Sequence, residues 1–186
     1  MFIRSERLFL RPGWPEDRAE IYAAMADEAV QRNVARAPWP CTPQAVPELA
    51  ELRQDRRLPR LIVTLPTGEG SKVIGYVGLH PHGGETELGY WIARDHWNRG
   101  YATEATRAVL MLARSLGHSR IVAGHFADNP ASGRVLRKAG FCPTGRVVPR
   151  FCLARGVEVP ATVHAVVLGQ RSDCDGSDIT ADMRAA

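Results

Sequence analysis

The stretch from Glu87 to Leu112, ELGYWIARDHWNRGYATEATRAVLML, limits the fold more than any other part of the chain, because the hydrophobic period changes inside it. Leu88, Tyr90 and Ile92 alternate with Glu87, Gly89 and Trp91, which is the two-residue period of a strand with two distinct faces. Beyond Gly100, apolar residues fall at Ala102, Ala105, Val109, Leu112, Ala113 and Leu116, the single stripe of a helix. A strand, a tight turn and a helix in succession place Arg99 and Gly100 at a helix N-terminus. Unpaired N–H groups and the helix dipole favour an anion there. A phosphate fits that requirement.

The flanking sequence supplies the remainder of a mixed sheet. Arg7 to Pro12 alternates and ends at proline, as an edge strand does, and Pro15 opens a helix whose buried stripe is Ile21, Ala24 and Met25. Thr42-Pro43 starts a second predicted helix running to about Arg56. Leu58–Leu65 and Lys72–Leu79 read as strands joined by the turn Pro66 to Ser71, and with Glu87–Ile92 they predict an antiparallel meander. The long helix then forces a crossover, so Arg120–Phe126 is expected to run parallel to the Glu87 strand. Asn129-Pro130 caps a short helix closed by Gly140, and Arg146–Leu153 with Val157–Leu168 make a last hairpin. The expected fold is α+β: a mixed, mostly antiparallel seven-stranded sheet with about four helices, occupying residues 1–169, followed by a flexible tail at 170–186.

Composition excludes several classes. The chain has 186 residues, enough for one domain with a full core, and no run approaches the roughly 18 apolar residues of a membrane span. Its first residues lack the apolar core of a secretion signal, which places it in the cytoplasm with no membrane partner. Cys41, Cys142, Cys152 and Cys174 have no C-x-x-C spacing, so reduced structural thiols are expected. His80-Pro81-His82 lacks a third ligand at useful spacing and reads as surface turn; no metal is expected. A net charge of +4 permits an acidic ligand, and direct nucleic-acid binding is not expected from it.

Three ordered segments carry a resemblance. Trp97-Asn98-Arg99-Gly100-Tyr101-Ala102-Thr103 resembles the acetyl-CoA pyrophosphate loop of the GNAT superfamily of N-acetyltransferases, with Gly100 and Ala102 in the glycine positions and Trp97 replacing the usual first basic or amide residue. Arg7-Leu8-x-Leu10-Arg11-Pro12 with Asp17, and Asn129-x-x-Ser132-x-x-Val135-Leu136-x-Lys138-x-Gly140-Phe141, are similar to the opening and closing signatures of its RimJ/RimL-like branch. The resemblance implies a sheet splayed between the fourth and fifth predicted strands to admit pantetheine. It implies that backbone of Trp91, Ile92 and Ala93 pairs with the pantetheine amides. Arg99, Gly100, Tyr101, Ala102 and Thr103 would hold the pyrophosphate, with Asn129, Ser132 and Lys138 also at the coenzyme.

The chemistry so implied is transfer of acetyl from acetyl-CoA to a primary amine, possessing no covalent enzyme intermediate. It needs a neutral nucleophile, an oxyanion partner and a proton for the thiolate. Glu87 is the expected general base, with Glu85 as competitor, and the Ile92 N–H is the oxyanion donor. Many relatives protonate the thiolate from a tyrosine where this chain has Leu136, so Ser132 is assigned to the sulfur, orienting it while water supplies the proton. The acceptor is expected to be the N-terminal amine of a protein, such as a ribosomal one. The alternatives are a small-molecule amine, an aminoglycoside, or a non-catalytic CoA-binding module. A homodimer is allowed but not encoded in any feature.

Overall fold

The structure is a computed structural model describing residues 1–37, 55–68 and 70–169. Among these residues one sheet contains eight strands: β1 (Ile3–Arg4), β2 (Phe9–Arg11), β3 (Arg60–Thr67), β4 (Gly70–His82), β5 (Glu85–Ile92), β6 (Arg120–Phe126), β7 (Cys142–Cys152) and β8 (Val157–Val167). Their order is β1-β2-β3-β4-β5-β6-β8-β7. Neighbours are antiparallel except β5 and β6, which run parallel as the crossover requires. The eighth strand, unforeseen in the sequence, is β1, whose two residues pair Ile3↔Leu10 and Arg4↔Phe9. Two residues are too few to show a period.

The helices described are α1 (Arg18–Met25), α2 (Glu28–Gln31), α3 (Tyr101–Ser115) and α4 (Pro130–Lys138). A 3₁₀ turn, Pro15–Asp17, leads into α1. The sequence reading missed α2, a single turn capped by the Asp27 carboxylate, which accepts from the Ala29 N–H at 2.7 Å. The helix expected from Thr42 lies almost wholly outside the described residues, as does the expected tail. Two other expectations are corrected. Cys142 is disulfide-bonded, whereas Cys152 is a free, buried thiol. His80-Pro81-His82 is strand, not surface turn, because β4 pairs with β5 through His80↔Glu87, Pro81↔Thr86 and His82↔Glu85.

The two faces of β5 feed two cores. Leu88 and Ile92 join Ala105, Val109, Ala113, Leu136 and Phe141 beneath α3 and α4, while Trp91 joins Ile21, Met25, Val30, Ile62 and Tyr76 beneath α1. Leu136 and Phe141 are fully buried, each such side chain contributing about 1.5–3 kcal/mol by leaving water. Arg11 and Asp17 form a buried bidentate pair at 2.6 and 2.7 Å that ties β2 to the entry of α1. Burial opposes the Asp17 charge, but bonds from Arg11 and the Trp14 N–H outweigh it and hold its pKa below the usual carboxylate value. Removing either partner strands a buried charge, at a cost of about 3–5 kcal/mol.

Candidate functional site

The sheet opens between β5 and β6. Their one register pair is Glu87↔Val122, after which the strands diverge toward their C-terminal ends. The wedge belongs to a cleft of about 530 Å³ lined on one side by Glu87 to Trp91 and on the other by Gly124 to Phe126. The Ala93 N–H donates to the Ile74 carbonyl at 2.8 Å, so Ala93 and, by alternation, Trp91 turn their backbone groups toward β4. Those of Tyr90 and Ile92 therefore face the gap. The Ile92 carbonyl accepts the Trp97 indole N–H at 2.6 Å, leaving its N–H as the group aimed into the opening.

The N-terminus of α3 is held from outside the strand–turn–helix stretch. Gly100 is its N-cap, at φ 80°, a left-handed conformation that a side chain resists, and its carbonyl accepts the Glu104 N–H at 3.1 Å. The N–H groups of Tyr101, Ala102 and Thr103 precede that bond and point along the dipole. Glu104 is the anchor: its carboxylate accepts from Ser5 Oγ at 2.8 Å, from the Arg7 N–H at 2.7 Å and from Arg7 Nε at 2.8 Å. Burial raises the Glu104 pKa, yet these donors together bring it below the ordinary value. Arg7 also bonds the Arg99 carbonyl at 3.0 Å and lies over the Tyr101 ring at 4.7 Å. The turn is thereby clamped to the β1–β2 connection.

On the α1 side of the wedge, polar residues from separate strands meet. The Arg150 guanidinium, carried by β7, donates to Glu87 Oε1 at 2.6 Å, and the same guanidinium lies 3.3 Å from where a Cβ on Gly124 would stand. Arg150 thus bridges β5 and β6 where they part, and glycine at 124 leaves the space it occupies. His82 Nδ1 approaches the other Glu87 oxygen at 3.8 Å. His80, facing the same cleft, meets the Tyr76 hydroxyl at 3.0 Å. Burial, followed by the charges of Arg60 and Arg36, depresses the His80 pKa to about 4, so its imidazole is neutral at neutral pH.

Across the cleft, the Tyr90 hydroxyl lies 2.6 Å from Ser132 Oγ and donates to the Ser132 carbonyl at 3.2 Å. Burial raises the Tyr90 pKa to about 12, against the lowering effect of the Ser132 bond. The Asn129 side chain accepts from the Ser132 N–H at 3.2 Å, the cap that its position announced.

Of the residues predicted from sequence, Glu87, Trp91, Asn129 and Ser132 line this one cleft. Ile92 ends the wedge strand and Ala93 follows it with its N–H on the Ile74 carbonyl, while Arg99 to Thr103 form the entry to α3. Lys138 stands in the exposed last turn of α4, its carbonyl accepting from Arg107 Nε at 3.1 Å. Glu85 is absent from the cleft lining and pairs with Arg120 instead. The sequence reading missed Arg150, Gly124, His80 and Tyr90. Tyr90 shares its strand face with Leu88 and Ile92, and its hydroxyl is the available clue.

Comparison with known proteins places this geometry in context. A model described as "Acetyltransferase (GNAT) domain" matches residues 7–142. The chain is 32% identical over 170 residues to the protein called uncharacterized N-acetyltransferase YoaA of Bacillus subtilis, covering 89% of this chain and 96% of the relative. In fold it is similar to a GNAT-family acetyltransferase from Bacillus anthracis, with a TM-score of 0.77, 22% identity and coverage of 91% of this chain and 100% of the other. It is also similar in fold to Mycobacterium smegmatis RimJ solved with CoA-disulfide, with a TM-score of 0.71, 21% identity and coverage of 89% and 85%.

Proposed function

Because the chain belongs to the GNAT family of acetyltransferases, we propose that it moves an acetyl group from acetyl-CoA to a primary amine within a direct ternary complex, its catalytic unit being residues 1–169. The observation that carries this reading is the wedge: strands that part after Glu87↔Val122 with a helix N-terminus beside the opening. Pantetheine lies along the gap-facing edge of β5, where the Ile92 N–H is free to pair. The pyrophosphate rests on the N–H groups from Arg99 to Thr103. Asn129 and Lys138 flank the coenzyme from α4.

The amine must lose a proton to attack. An alkylamine has a pKa of about 10.4 and an N-terminal amine about 8, so a base is needed at neutral pH. Glu87 takes that proton directly or through one water, held in place by Arg150. The nitrogen lone pair then forms the C–N bond, and the carbonyl electrons move to an oxygen facing the Ile92 N–H. Collapse breaks the C–S bond, and water supplies the proton to the sulfur, which Ser132 Oγ orients. Burial raises the Tyr90 pKa to about 12, so its hydroxyl stays protonated at neutral pH and holds Ser132 Oγ in place at 2.6 Å. This arrangement substitutes for the tyrosine that Leu136 replaces.

Within the family, the three ordered sequence segments and the likeness to RimJ support a RimJ/RimL-like enzyme acting on a protein N-terminal amine. The test is thiol release from acetyl-CoA over peptides with free N-termini, polyamines and aminoglycosides. Amine-dependent release on peptides is the expected result. Acetyl-CoA binding with no release on any of them would make the chain a non-catalytic CoA-binding module.

A further inference from the structure

The charge inside the cleft is one-sided. Its lining holds three arginines, Arg36, Arg60 and Arg150, and among the described residues one carboxylate, Glu87. Glu87 and Arg150 are occupied with each other at 2.6 Å. The other two arginines converge on the Tyr76–His80 end, where the charges of both act on the tyrosine and the imidazole. Arg36 has no ion pair or hydrogen bond to offset it among the described residues. His80 stays neutral there and adds no charge of its own at neutral pH. Among the described residues, the α1 side of the cleft therefore carries more cationic than anionic side chains, in a concave surface bounded by the apolar walls of Met25, Val34 and Trp91.

Resting on the acetyl-transfer reading, we infer that the acceptor is an amine whose molecule also carries an anionic group, a carboxylate or a phosphate, and that Arg36 receives that group at the Tyr76–His80 end of the cleft. Two physical effects act in the same direction. A guanidinium binds carboxylate or phosphate through paired N–H donors, in hydrogen bonds stronger than neutral ones. Positive charge beside an ammonium disfavours its charged form, so the arginines also help to present the amine as the neutral nucleophile. A polyamine or aminoglycoside brings several positive charges into the same field and is disfavoured. An N-terminal peptide with an acidic residue close to its amine has the required chemistry, as does a small amine bearing phosphate.

The experiment compares matched acceptors that differ only in charge, by kcat/KM for thiol release from acetyl-CoA. One arm uses the tripeptide amides Ser-Glu-Ala, Ser-Gln-Ala and Ser-Lys-Ala; another uses O-phosphoethanolamine against ethanolamine; spermidine is the polycation. The anionic member of at least one arm is expected to exceed its neutral partner by about tenfold, the worth of one charged hydrogen bond. The arm that responds tells carboxylate from phosphate. Arg36→Gln is expected to bring that ratio toward one, and Arg36→Glu to invert it. Circular dichroism confirms that each variant is folded, and Arg36 is exposed. Equal or greater activity on neutral or cationic members overturns the inference, as does a ratio unmoved in both variants. If no amine in any arm is accepted although acetyl-CoA binds by calorimetry, the acetyl-transfer reading falls as well, which separates the two failures.

Discussion

The proposed donor end of the cleft is built from consecutive residues, Trp97 to Thr103, whereas the proposed acceptor end draws Arg36, Arg60, Tyr76, His80, Glu87 and Arg150 from places far apart in the chain. The first is a local object. A glycine in the left-handed region and the unpaired N–H groups of one helix suffice to define it, and long-range contacts such as Arg7 to Glu104 steady it afterwards. The second exists only when β3, β4 and β5 lie side by side and β7, two strands beyond β6 at the sheet edge, sends Arg150 back over Gly124 toward Glu87. An anion site can be carried by backbone, which is the same for every residue. A charge-selective cleft needs particular side chains, and only the sheet order brings these together.

The two halves should therefore fail in different assays. Glu87→Gln is expected to lower turnover by about 10²–10⁴ while leaving acetyl-CoA affinity unchanged; unaltered turnover moves the base elsewhere. Gly100→Val should do the reverse. A β-branched residue at φ 80° strains the turn, and acetyl-CoA affinity is expected to fall about a hundredfold by calorimetry in a folded protein. Unchanged affinity would remove the anion-site argument.

Smaller effects sharpen the boundary between the halves. Gly124→Ala places a methyl 3.3 Å from the Arg150 guanidinium, so Arg150 must shift from Glu87; turnover is expected to drop about tenfold with donor affinity intact. Tyr90→Phe leaves Ser132 without its hydrogen-bond partner, and a loss of about threefold to tenfold in kcat is expected, smaller for thioesters with a more acidic thiol. Equal loss for all thioesters would assign Tyr90 to packing. The mildest effect is on stability. The folded-state pKa of His80 is depressed to about 4 from 6.5, so between these values the unfolded chain binds more protons and stability falls as pH drops. His80→Gln should flatten that part of a melting-temperature curve against pH.

Local signals in the sequence accounted for much of the fold. The switch of period at Glu87 to Leu112 fixed strand and helix, Gly140 ended α4 at φ 100°, and the crossover rule gave the parallel β5–β6 pair. β1 and α2 escaped because two and four residues span only about one period of a strand and of a helix, so no pattern repeats in them. His80 was misread because a proline beside it signals a turn, yet Pro81 is accommodated in the pairing close to the hairpin end. Arg150 could not have been found this way. Nothing in the sequence around it announces a partner 63 residues away.

What the sequence determined by itself is whatever depends on neighbours along the chain: the alternating faces of β5, the glycine turn, the exposed amides at the start of α3 and the Asn129 cap. Tertiary structure alone decided the meeting of Arg150 with Glu87 over Gly124, the joining of Tyr90 to Ser132, and the convergence of Arg36 and Arg60 on one wall. The physical reason is range. Backbone conformation follows from sterics and hydrogen bonds a few residues apart, while the charge balance of a cleft sums groups that only folding brings within reach of one another.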